Sequence, residues 1–161
     1  MSGIHHIAFE NRRVRFDLTI SEKFTIIRGD SGTGKSTMIS MIRAFEALGD
    51  GSGISLESSQ PCTVLESPRW KGILASVHES IVFIDTGAPF VTETEFAAAA
   101  EHSSDCFVIV TRERLGNLPQ DSTGIYGLRR SQSRPETGKA CNEMYRISGS
   151  ALDFSQPAPP L

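Results

Sequence analysis

Cysteine is scarce in this 161-residue chain: Cys62, Cys106 and Cys141 are an odd number at wide spacing. Neither a disulfide framework nor a metal knuckle is suggested, and two of the three lie in apolar runs that favour a buried, reduced thiol. Long hydrophobic runs are also lacking, and none approaches the ~20 residues needed to cross a bilayer. The N-terminus has no charged segment leading into an apolar core and cleavage site, so a reducing cytoplasm is the expected location and no membrane partner is indicated. His5 and His6 adjoin, but no further histidine or cysteine cluster supports them, and they read as part of an edge strand rather than a metal site. A strong charge of either sign is absent as well, the net charge being -3. The balance is uneven, with two basic and eight acidic side chains in 51–110 against seven and four in 111–146. The basic group (Arg112, Arg114, Arg129, Arg130, Arg134, Lys139, Arg146) suits nucleotide phosphates, nucleic acid, an acidic partner or simply water. The remaining composition, 39% hydrophobic and 22% charged, fits one soluble globular domain.

What is present is a glycine-rich loop. Gly29-Asp30-Ser31-Gly32-Thr33-Gly34-Lys35-Ser36 satisfies G-x-x-x-x-G-K-[ST] at every fixed position. Residues 23–28 before it are β-branched and aromatic, as in a strand. Residues 36–48 after it place Met38, Ile39, Met41, Ile42, Phe45 and Leu48 at helical spacing. Strand, loop and helix follow in the order that phosphate binding requires. Glycines let the backbone curl so that successive N–H groups face phosphate oxygens, and the helix N-terminus adds partial positive charge. Lys35 then reaches the β and γ phosphates, the Ser36 hydroxyl is a magnesium ligand, and Thr37 follows in the same first turn.

Elsewhere the spacing predicts strands over 4–10 and 14–20, joined through Asn11-Arg12-Arg13 as a hairpin. Gly49-Asp50-Gly51-Ser52-Gly53 ends the helix in a flexible loop. A short strand over 61–66, a helix over 68–78 with Trp70 in the core, and a strand over 80–85 come next. The last is four large apolar residues closed by Asp85, a pattern suited to a buried parallel strand with the carboxylate at its ligand-binding end. A helix over 92–102, capped by Thr92 or Thr94, leads to an apolar strand over 106–110 that ends at Thr111-Arg112. Weaker strands are expected at 125–128 and 144–147 around a polar loop. Residues 1–149 form the nucleotide-binding domain, and 150–161 read as a disordered tail.

These motifs resemble the P-loop NTPase superfamily over residues 1–130. Their order is similar to the ASCE division, which holds the AAA, RecA, RecF/SMC and ABC groups, with 107–110 as the extra strand between the loop strand and the Asp85 strand. The opening strands look like the antiparallel layer of RecF/SMC and ABC domains. The resemblance implies an α/β fold of three layers, α/β/α, with a mainly parallel central sheet and an N-terminal antiparallel hairpin. It further implies ATP and Mg2+ as ligands, Ser36 and Asp85 as the metal residues, and Thr111 or Arg112 as a γ-phosphate sensor. About fifty residues separate Lys35 from Asp85, too few for the helical insertion of an ABC protein, and no Leu-Ser-Gly-Gly-Gln-like signature occurs. Thr86 stands where these families usually place a catalytic glutamate. The guanine-reading motif of GTPases is also missing, which favours ATP.

Three functions fit. A slow ATPase would drive a conformational change in itself or a partner, with Glu66 or Glu113 orienting water in place of the missing glutamate. An ATP-binding switch would order its loops without turnover. A small-molecule kinase would need an arginine-bearing lid, for which 124–139 is the candidate. Self-association is compatible with each, because many members of the superfamily complete their site with a neighbour's arginine.

Overall fold

A computed structural model describes residues 3–28, 34–85, 87–112, 115–131 and 140–148. Among the described residues nine strands and three α-helices follow one another as β1 (His5–Glu10), β2 (Val14–Ile20), β3 (Phe24–Arg28), α1 (Lys35–Leu48), β4 (Ser55–Ser58), β5 (Cys62–Val64), α2 (Trp70–Ser76), β6 (Ile81–Ile84), α3 (Thr94–His102), β7 (Cys106–Val110), β8 (Thr123–Ser131) and β9 (Ala140–Ser148). β1 and β2 form the expected hairpin, with the Asn11 side chain accepting from the Arg13 and Val14 amides at 2.8 and 2.9 Å. This is the local bonding that makes asparagine a turn residue. Alternation in β2 buries Phe16, Leu18 and Ile20, while β6 and β7, apolar throughout, are buried along their whole length.

The three-layer arrangement with a mainly parallel sheet is not what these strands build. They join in one mixed sheet, ordered β4-β1-β2-β9-β8-β3-β7-β6-β5, in which β1–β2, β1–β4 and β8–β9 are antiparallel and the other five pairings parallel. The sheet curls until it is nearly closed and barrel-like. Phe9 of β1 meets Phe83 of β6 edge-on, with ring centroids 6.5 Å apart. These strands are six steps apart, which in a flat sheet would separate them by about 29 Å. α1 packs into the curl, with Met38, Ile39, Met41 and Ile42 in one core cluster with Phe9, Phe16 and Leu18 of β1 and β2 and Phe83, Val108 and Val110 of β6 and β7. The other face of the sheet carries α2 and α3, where Trp70 stacks on Phe90 and meets Phe96 edge-on. The opening hairpin is therefore not a separate layer, because β9 pairs in parallel with β2 and antiparallel with β8 to bind it to the rest.

Smaller differences have local causes. β4, a polar edge strand on β1, lacks the apolar alternation that marks a strand in sequence. β8 and β9 extend well beyond the short strands expected, so the first half of the supposed lid at 124–139 is sheet; residues 132–139 lie outside the described residues. The 49–53 breaker opens with a turn of 3-10 helix. Glu93, not a threonine, precedes α3 without a side-chain cap, and Thr92 donates instead to the Pro89 carbonyl at 3.4 Å. The tail from 149 onward is outside the described residues.

Candidate functional site

β3, β7 and β6 are parallel neighbours, with Ile27 opposite Val110 and Ile84 opposite Ile109. Arg28, Thr111 and Asp85 thus leave the sheet within one residue of the same level, along about 10 Å of its C-terminal edge. The chain continues from β3 through the glycine loop to α1. Gly29, Asp30, Ser31, Gly32 and Thr33 lie outside the described residues. The end of the motif is described. Gly34 adopts φ 96°, a conformation open to glycine, and its carbonyl accepts the Met38 amide at 2.9 Å, the first helical hydrogen bond. Lys35, Ser36 and Thr37 form the first turn, where amides have no partner within the helix, and Ser36 and Thr37 are exposed.

Asp85 follows β6 directly and is half-buried. Thr111 is buried, its amide donating to the Ile27 carbonyl at 3.2 Å, so β7 is locked to the loop strand up to its last residue. Arg112 beside it is exposed. A hollow of about 350 Å3 runs between Asp85, Pro89, Thr92 and Thr111. The Ser36 hydroxyl and Asp85 carboxylate are hard oxygen donors, and magnesium characteristically takes one or two such protein ligands together with phosphate oxygens and water. In chemical type these two donors suit Mg2+ with phosphate oxygens and water completing its shell.

The two candidates for orienting water stand differently. Glu66 leaves β5 beside the Asp85 strand, since Val64 is opposite Phe83 and the Leu65 amide continues the pairing to the Phe83 carbonyl at 2.8 Å. Its carboxylate, however, is drawn to Arg43 of α1 at 3.1 Å. Arg43 is eight residues beyond Lys35, about 12 Å along the helix. Glu113 and Thr86 lie outside the described residues.

Sequence reasoning missed the other wall of the site. A β-carbon built on Gly34 would stand 3.2 Å from Asn142 Nδ2 and 3.5 Å from the Phe16 ring, so β9 and β2 press on the last glycine of the loop. Around this contact opens a cavity of about 640 Å3 bounded by Gly34, Thr37, Arg13, Arg129, Arg130 and Asn142. The basic character of 111–146 was a partial signal; the insertion of β9 beside β2, which brings it here, left none.

No protein-family model matches the chain. No curated protein is found to match it in sequence. Among the described residues no helix is long and apolar enough to cross a membrane.

Proposed function

We propose that the chain binds ATP with Mg2+ at the end of β3 and the start of α1 and turns it over slowly, using the cycle to change its own conformation or that of a partner. The observation that carries the reading is the shared sheet edge at which Arg28, just before the glycine loop, stands level with Thr111 and within one residue of Asp85, with α1 starting at Lys35 beyond the loop residues 29–33 that lie outside the described residues. The motif order is what supports a likeness to ATPases of the ASCE division; the curled mixed sheet departs from their layered architecture. Lys35 neutralises phosphate charge, and the first-turn amides of α1 bind phosphate oxygens. Ser36 and Asp85 hold the metal, which when bound shields the β and γ phosphates. Thr111 or Arg112 senses the γ phosphate. A cytoplasmic setting and a protein partner or second copy belong to the same proposal.

The ion pair of Glu66 with Arg43 favours a second reading, a switch that holds ATP with little turnover, because a carboxylate engaged on the helix is poorly placed to orient water. Kinase activity gains no support, since the first part of its supposed lid is strand β8. Single-turnover incubation with radiolabelled ATP and Mg2+ tests these readings. Slow release of labelled phosphate supports the ATPase, bound and unconverted ATP supports the switch, and no retained label refutes both. Asp85→Asn should weaken Mg2+-dependent binding and leave metal-free binding nearly unchanged; equal loss in both would make Asp85 structural.

A further inference from the structure

We propose that the cavity between the tip of α1 and strands β2, β8 and β9 is a nucleoside subsite, taking the ribose and base of the bound triphosphate against Arg13, Arg130 and Asn142. The inference rests on the nucleotide reading above and adds the direction in which the ligand lies. In the sheet order β9-β8-β3-β7-β6, the loop strand β3 stands between the arginines on one side and Asp85 on the other. Asp85, as the residue that would hold the metal of the terminal phosphates, would set that end of the ligand toward β6. The other end then leaves toward β8 and β9. Gly34 and Thr37, three residues apart and hence on one side of the helix tip, both border this cavity.

Its volume, about 640 Å3, lies within the ~300–1,000 Å3 range of small-molecule sites. The hollow at Asp85 is about 350 Å3 and already contains the metal carboxylate. The chemistry of the larger cavity suits a nucleoside next to a phosphate. Guanidinium planes stack on base faces, and a carboxamide both donates to and accepts from ribose hydroxyls. Arg129 turns to the opposite face of β8, with its guanidinium 5.2 Å from the Tyr145 ring centroid and 3.9 Å from Glu143, so Arg130, opposite Asn142, is the β8 arginine on the cavity side. Arg13 stands on a turn fixed by Asn11, and neither it nor Arg130 forms an ion pair with a described residue.

The test compares Mg-ATP with Mg-tripolyphosphate, which has the phosphates without the nucleoside, by calorimetry on the full chain and on Arg130→Ala and Arg130→Lys. Arg130 is exposed, so both variants should fold. The unaltered chain should bind ATP about tenfold or more tighter than tripolyphosphate, a margin of ~1.4 kcal/mol. Arg130→Ala should remove most of that margin while tripolyphosphate affinity shifts by less than about threefold, and Arg130→Lys, which keeps the charge without the plane, should also weaken ATP selectively. Equal weakening of both ligands, or no margin in the unaltered chain, would overturn the subsite alone. Binding of neither ligand by the unaltered chain would overturn the nucleotide reading and the subsite with it.

Discussion

Replacing Gly34 with alanine should strain the chain at the point where the loop enters α1. The residue sits at φ 96°, and holding an L-residue in a left-handed conformation costs about 1–2 kcal/mol. The new methyl would also stand 3.2 Å from Asn142 Nδ2 and 3.5 Å from Phe16, which is part of the core and has little room to withdraw. The Asn142 amide must give by a few tenths of an ångström, and such crowding adds roughly 1 kcal/mol. The sum, roughly 2–3 kcal/mol, corresponds at a urea m-value of ~2 kcal/mol/M to a midpoint lowered by about 1 M. Urea unfolding followed by circular dichroism measures it. Repeating the substitution in an Asn142→Ala background separates the two causes, because the crowding term of about 1 kcal/mol should vanish there while the backbone term persists. A midpoint unchanged in Gly34→Ala would refute the left-handed entry to the helix. A full cost retained without Asn142 would refute the contact with β9.

Asp105 is wholly buried and accepts the Ser80 amide at 2.9 Å, and burial raises its carboxyl above the ordinary value of 3.8. A raised folded value means that its favourable contribution is complete below 3.8 and is lost as pH rises through the folded value. Asp105→Asn keeps an acceptor for Ser80 without the charge, so it should flatten the fall in urea midpoint between pH 4 and pH 7; an unchanged pH profile would contradict this. Glu66→Gln should alter stability by under about 1 kcal/mol, as exposed ion pairs do, and leave phosphate release within about threefold; a loss of ~100-fold would instead make Glu66 the residue that orients water. Thr86→Glu, which places a carboxylate directly after the aspartate proposed to hold the metal, should raise single-turnover hydrolysis by about tenfold or more with little change in ATP affinity. Unchanged turnover would show that more than this group is missing.

Local pattern was legible to within a residue or two where one physical rule dominates. β2 follows from strict alternation, β7 from an uninterrupted apolar run, and α1 from apolar spacing behind a glycine entry. The shared edge holding Asp85 and Thr111 was legible for the same reason, since each closes an apolar strand. The sheet as a whole was not. Its mixed character depends on β9 pairing with β2, a contact between Val14 and Ala140 at opposite ends of the chain, and no local period encodes a partner so distant. The curl arises from the stack of Phe9 on Phe16 and their closure toward Phe83 around α1, where each phenylalanine alone reads only as buried. The Arg130 and Asn142 wall was missed with it, because it exists only once β8 and β9 stand beside the loop.

The most direct measurement is calorimetric titration of Mg-ATP into the unaltered chain and into Lys35→Ala. Lys35 opens α1 directly after the glycine loop, and its loss from a folded chain should remove ~3 kcal/mol or more of binding, as expected when a charged hydrogen-bond partner of phosphate is deleted. Saturable binding by the unaltered chain that falls below detection in a folded Lys35→Ala is the predicted result. Equal ATP affinity in the two proteins, or no binding by the unaltered chain, would contradict the assignment of this loop to a nucleotide.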